Sequence, residues 1–217
     1  MIMLLSITVL SIGGDMAQRD HSLDERIIVS ARKEFMEKGF MKASLHAIAK
    51  NAGITTGALY TRYEGKDDLF RSLVSDVYTA MGRESEAIAE EYMKAHDSRD
   101  PELMIESVRL EEKVYRKVLF EHYEACVLFF AKSEGSSVAE ELKTMMQNKA
   151  EQTIEYMKTI SRTDMDLDGI MMIMQSQFGY YRMILDKGWS PEKTVTAMEA
   201  VDLYQEAGWK ALFSAIL

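Results

Sequence analysis

SLHAIAKNAGITTGALYTRYEGKDDLF, residues 44–70, decides the fold of this chain. Ser44 precedes a stretch of helical periodicity and can accept a hydrogen bond from the first free amides, which predicts a short helix over residues 44–51. Ala47, Ile48 and Leu45 are its inward-facing candidates. Gly53 follows, where glycine takes the left-handed backbone that ends a helix without steric cost. A second short helix is predicted from Thr55 or Thr56, either hydroxyl suited to capping, to about Tyr63. Two helices joined by a short glycine-containing turn form a helix-turn-helix. Ala58 and Leu59 are the only plain apolar residues of the second helix, whereas Thr55, Thr56, Gly57, Thr61 and Arg62 are small or polar. Small residues let a backbone approach base edges, while hydroxyls and a guanidinium bond to bases and phosphates. A helical hairpin with a solvated outer face would carry similar residues. The docking geometry of the motif favours the major groove of DNA.

The run Ile48–Phe70 also resembles the signature of the TetR/AcrR family of one-component repressors. Ile48, Ala49, Ala52, Gly53, Gly57, Leu59, Tyr60, Lys66 and Leu69 stand where that signature expects them. The resemblance covers roughly residues 24–70 and departs mildly from the pattern. Tyr63 replaces the usual Phe, and Ala43 stands where a Thr is common, which would remove one phosphate contact. The resemblance implies an all-α chain: a three-helix DNA-binding head with the helix-turn-helix, then a larger helical ligand-binding and dimerisation body. It further implies a homodimer on double-stranded operator DNA. The candidates for base contact are Thr56, Gly57, Thr61 and Arg62; those for backbone contact are Ser44, Thr55, Tyr60 and Lys66.

Composition agrees with a helical protein. In 217 residues there are two prolines, Pro101 and Pro191, and seventeen methionines, with no strand-like alternation. That length is enough to bury a substantial core. The single cysteine, Cys126, excludes an internal disulfide and suits a reducing cytoplasm. The net charge of −9 is unevenly spread: residues 17–75 hold ten basic and eight acidic side chains, residues 76–217 sixteen and twenty-six. A mildly basic head on an acidic body is compatible with DNA binding by the head, with weak non-specific affinity.

The first residues, MIMLLSITVLSIGG, form an apolar run shorter than the ~20 residues that span a bilayer. They lack the basic lead and small-residue cleavage site of a signal peptide. Residues 1–16 are therefore expected to be a non-native or disordered extension, with Met16 the natural start. An apolar arm touching a membrane is the alternative. No membrane partner is otherwise expected.

The first helix is predicted over residues 23–38, with Ser22 and Glu25 at capping-box spacing and Gly39 at its end. The head is assigned to residues 17–65 and the body to residues 66–217. Lys66 opens a long helix reaching about Met93, shared by head and body, whose tilt would change the spacing of two heads. The stretch 97–101, DSRDP, reads as a linker, followed by helices over about 102–132 and 138–160, with a further break at residues 161–164. The last two helices look like an oligomer surface. Leu167, Ile170, Met171, Met174, Phe178, Tyr181 and Leu185 recur at helical steps, and small residues punctuate the final helix. Monomer core would give the same pattern. The resemblance favours a four-helix dimer bundle.

Methionines and aromatics of the central helices suggest an adaptable apolar pocket. Its candidate residues are Met104, Tyr115, His122, Tyr123, Cys126, Met146, Met174 and Phe178, for a small hydrophobic ligand; core packing is the alternative for each of them. His122 and Cys126 share a helical face, but a structural zinc site wants four ligands, so neither metal nor cofactor is expected. There is no phosphate loop, nucleophile elbow or HExxH, so no enzyme is expected. The sequence thus points to a cytoplasmic, ligand-responsive DNA-binding regulator, a repressor released by its ligand. A structural DNA-binding protein of the same fold, or a ligand-binding protein or enzyme without DNA function, are the rival readings.

Overall fold

Residues 21–98, 100–160 and 167–216 are described by the computed structural model, and they are helical, with no strand among them. The expectations for residues 1–16 and for the break at 161–164 lie outside the described residues. In order come α1 (His21–Lys42), α2 (Leu45–Asn51), α3 (Thr56–Tyr60), α4 (Lys66–Ser98) and α5 (Pro101–Glu121). Then follow α6 (Tyr123–Cys126), a π-helical turn (Val127–Ala131), α7 (Ser137–Ile160), α8 (Leu167–Lys187) and α9 (Pro191–Ile216).

Several boundaries differ from expectation, each for a local reason. The first helix is already formed at His21, so Ser22 lies within it rather than capping it. α3 stops at Tyr60, with Thr61 as its cap, because the Thr61 hydroxyl donates to the Ala58 carbonyl (2.8 Å). α4 continues past Met93 to Ser98, leaving little of the expected linker. The long helix expected to reach residue 132 breaks at His122 (φ −125°, ψ 38°), and the chain resumes as α6 and the π turn.

The described residues form two compact units, one of residues 21–79 with 122–142, the other of 80–121 with 143–216. The first unit therefore holds more than the helix-turn-helix. Ile27, Ala31 and Phe35 of α1, Ile48 and Ala49 of α2, Leu59 of α3, and Leu69, Phe70 and Val74 of α4 are buried together with Leu128 and Phe129 of the π turn. At Gly39 the backbone takes φ +69°, which breaks α1 and turns Phe40 inward. Phe40 N–H then donates to the Lys132 carbonyl (2.8 Å), tying the break to the end of the π turn. Phe70 meets Phe35 and Phe40 edge to face at 5.0 and 5.3 Å.

Two buried polar groups set the entry into α2. The Ser30 hydroxyl donates to the Ile48 carbonyl (2.9 Å). The Glu34 carboxylate accepts from the Ser44 amide (3.1 Å) and from Lys38 Nζ (2.7 Å). Burial alone would raise the Glu34 pKa, but those bonds together hold it below the usual carboxylate value.

In the second unit, Met104 and Ile105 of α5, Ala150 and Met157 of α7, Met174 of α8, and Trp209 and Phe213 of α9 form one buried cluster. Trp209 stacks on Phe213 and donates its indole N–H to Gln205, which also accepts from Gln177. Ser190 caps α9, accepting from Lys193 N–H (3.3 Å). Met174 and Leu185, expected on the oligomer surface, are buried within the unit. The exposed apolar residues of these helices are instead Met172, Ile173 and Met183 on α8, and Val195, Leu203 and Tyr204 on α9. No helix among the described residues is long and apolar enough to cross a membrane.

Glu34→Ala removes a buried carboxylate that accepts from both the Ser44 amide and Lys38 Nζ. It is expected to cost about 1–3 kcal/mol in urea melts at neutral pH. Because the folded pKa of Glu34 lies below its unfolded value, this contribution is present above that unfolded value and lost on acidification through the folded one. The wild-type and variant melts should therefore converge in acid.

Candidate functional site

The helix-turn-helix is built as its residues dictate. Ser44 caps α2 by accepting from the Ala47 amide (3.4 Å), and Thr55 caps α3 by accepting from the Ala58 amide (3.1 Å). Gly53 sits between them at φ +70°, a conformation that L side chains rarely adopt. Ile48, Ala49 and Ala52 of the α2 segment point inward with Leu59 of α3, while Leu45 and Ala47 are half-buried. Burying Leu59 turns the rest of α3 outward.

The eight predicted contact residues then fall into two groups. Ser44, Thr55, Gly57, Tyr60 and Thr61 are exposed and Thr56 is half-buried, so six of them are accessible at least in part. Arg62 and Lys66 are engaged within the protein. Arg62 Nε is 2.8 Å from Asp24 Oδ1, in a pair whose side chains are only 18% and 25% exposed. Lys66 Nζ donates to the Met41 and Ala43 carbonyls (3.2 and 3.4 Å) and lies 4.5 Å from the centre of the Phe40 ring. Base contact by Arg62 would require opening its pair with Asp24. The sequence reading gave no role to His46 or Lys50, which are exposed on α2, or to Lys42 just before it. Their position beside Ser44 was the available signal.

The eight predicted ligand residues are divided between the two units. Met104 and Met174 belong to the buried cluster of the second unit. Tyr115 donates its hydroxyl to Glu111 (2.7 Å) and meets Tyr181 edge-on. Met146 is half-buried on α7, and the Phe178 side chain lies outside the described residues. His122, Tyr123 and Cys126 belong to the first unit. Burial pushes the Cys126 thiol up to about 12, which keeps it protonated and unreactive. Among the described residues no group of three His, Cys, Asp or Glu could hold a metal ion.

One cavity of the second unit lies between α5 and α9. It has a volume of about 320 Å³, with Ile105, Val108 and Trp209 as its apolar wall. Its other lining residues are charged: Arg109, Glu112, Lys113, Arg116, Asp202 and Glu206. Arg109 pairs with Glu206, and Arg116 with Asp202. Burial, reinforced by the nearby Asp202 charge, raises the Glu112 pKa to about 7. None of the eight predicted ligand residues lines this cavity, because methionines at helical spacing went to the core and charged residues to the cavity. Charged residues of α5 line it because α9 packs against that face of the helix.

Comparison with known proteins bears on the head first. Residues 27–73 match the profile described as bacterial regulatory proteins, tetR family. A 50-residue stretch is 40% identical to the HTH-type transcriptional repressor BepR of Brucella suis biovar 1 (strain 1330). That match covers 23% of this chain and 24% of the repressor. Among solved structures, a TetR-like transcriptional regulator from Rhodococcus sp. RHA1 aligns with a TM-score of 0.51 at 19% identity. It covers 86% of this chain and 96% of that one, a likeness of fold. Through residues 27–73, which carry the helix-turn-helix just described, the chain is similar to the bacterial regulatory proteins of the tetR family.

Proposed function

We propose that this protein is a DNA-binding transcription regulator acting as a homodimer, a repressor that leaves its operator when a small hydrophobic molecule binds the body. The observation that carries this reading is α3. With Leu59 buried beneath it, the helix offers Gly57, Tyr60 and Thr61 outward beside the exposed Thr55 cap, within the residues that match the tetR-family profile. An outward face of hydroxyls and glycine on a helix-turn-helix is what a major groove accommodates. Thr56, Gly57 and Thr61 are the base-contact candidates, and Ser44, Thr55 and Tyr60 the backbone candidates. Lys66 reaches a phosphate only by releasing the Met41 and Ala43 carbonyls. Arg62, held by Asp24, fixes the end of α3 and is assigned that role here.

The dimer is assigned to α8 and α9. Leu203 and Tyr204 are 72% and 73% exposed and Met172 is 71% exposed. Ala200, Ala207, Gly208 and Ala211 are exposed along α9 and would let a second helix approach closely. Two symmetric heads match two half-sites of DNA. α4 passes as one helix from the first unit into the second, so a body that rebinds differently around a ligand can re-aim the head. In functional terms the head is residues 17–65 and the body residues 66–217, in a cytoplasmic protein.

Fluorescence anisotropy on duplexes selected from a random pool tests the assignment. Tyr60→Ala should weaken binding to all selected duplexes by roughly five- to tenfold, as loss of one contact worth about 1 kcal/mol implies. Arg62→Ala should lower the melting stability by about 1–2 kcal/mol and weaken binding evenly. A change in base preference at one position, with unaltered melting, would instead give Arg62 a reading role. For the dimer, Leu203→Glu should shift sedimentation from two-chain to one-chain mass and lower operator affinity with it; an unchanged mass places the interface elsewhere.

A further inference from the structure

The cavity between α5 and α9 carries charges whose pairing is unequal. Arg109 is held by Glu206 and Arg116 by Asp202, so both guanidinium groups are committed to carboxylates of the opposite helix. Glu112 makes no ion pair with any described residue, although it lines the same cavity. The groups that face it are Asp202 and Glu206 from α9, Arg116 from its own helix, and Tyr181 from α8. The second Asp202 oxygen and the Tyr181 hydroxyl are sealed from solvent without a hydrogen-bond partner. Lys113 is exposed and therefore screened by water and salt. Against the charged side stands the apolar wall of Ile105, Val108 and Trp209.

We infer that this cavity is a binding site for an organic cation with an apolar body, whose positive group lies against Glu112 and Asp202 and whose body rests on Trp209. Such a ligand brings Glu112 the positive charge that it alone of the three carboxylates lacks, and meets the unpartnered Asp202 oxygen; an indole adds attraction for a cation near its ring. A neutral ligand leaves Glu112 to be satisfied by a proton. An anion would face three carboxylates with its attraction to both arginines already taken. The inference deepens the proposal that the body receives a small molecule, but it names a different part of the body from the methionine-rich residues and a different charge.

The proton on Glu112 gives the site a signature. In its neutral form Glu112 can donate to Asp202; a cation takes the place of that proton. Cation affinity should therefore rise as pH increases through about 7, where Glu112 ionises.

Quenching of tryptophan fluorescence in the full chain, without DNA, measures this directly. The probes are phenylbutyltrimethylammonium, phenylbutanol and phenylbutyrate, which share a body and differ in charge. The ammonium compound is expected to bind roughly tenfold or more tightly than the other two, and about tenfold less tightly to Glu112→Gln. Its affinity for the wild type should climb between about pH 5.5 and pH 8.5 and stay flat for the variant. Melting curves keep the variant informative: removing a carboxyl that resists ionisation should leave it at least as stable as wild type at pH 8. Equal binding of the three probes, preference for phenylbutyrate, absence of binding, or an undiminished affinity in a folded Glu112→Gln protein would each overturn the inference. Operator release is read separately: cation binding that leaves DNA affinity unchanged refutes the regulator mechanism while the site stands.

Discussion

The left-handed backbone at Gly39 is the constraint on which the head depends. It ends the straight run of α1 and directs Phe40 back towards Phe35 and Phe70, so that three rings from two helices meet in one place. The same break frees the carbonyls of Met41 and Ala43, and Lys66 at the start of α4 takes both. Thus one glycine positions the aromatic core, supplies the acceptors for the next long helix and places Ser44 where Glu34 can hold its amide. The two short helices could not be stable alone, since isolated helices of that length are marginal in water. They exist because α2 packs against α1 and α3 packs against α2.

The lower end of the first unit is closed by groups distant in sequence. Asp67 accepts from the Ser137 amide and hydroxyl, Arg71 donates to Ser137 and Glu141, and Tyr78 donates to Glu141. With the π turn packing Phe129 against Tyr78, these bonds fix the first turns of α4 to the start of α7. Burial, together with the bond to Glu141, holds the Tyr78 hydroxyl well above its ordinary value, so it remains a donor at any physiological pH. A rigid attachment of this kind is a precondition for α4 to carry a displacement rather than absorb it.

What the sequence made legible follows from how local each cause is. Caps at Ser44, Thr55 and Ser190 act within three residues, as does the left-handed turn at Gly53, and all four were readable. The burial of Leu59 and the outward face of α3 follow from one helical turn. Arg62 and Lys66 are different. Their partners lie 38, 25 and 23 residues away, so their commitment to Asp24 and to two backbone carbonyls leaves no trace in local spacing. The break at His122 was missed because the apolar period of residues 108–130 continues through it: a π turn buries Val127, Leu128 and Phe129 consecutively, which reads as ordinary apolar density. In the body, methionine content pointed to a pocket, yet Met104, Met157 and Met174 fill the core. A flexible side chain suits both roles, and only packing decides between them.

Charge counts mislead in the same way. The basic excess over residues 17–75 is small to begin with, and much of it is spent internally. Arg32 pairs with Glu124, Lys38 with Glu34, Arg62 with Asp24 and Arg71 with Glu141. Lys42 and Lys50 remain exposed near the outward surface of the short helices. With so few cations open to phosphate, counterion release contributes little, and one head alone would hold DNA weakly. Under the proposed function, affinity would then come from hydroxyl and amide contacts of α2 and α3 and from joining two heads on one duplex, where the second contact is intramolecular. A regulator built this way gains its grip from the spacing of its heads. Such a grip is also the kind that a modest change in the body can release, because misplacing one head forfeits the joint contact without having to overcome a strong electrostatic hold.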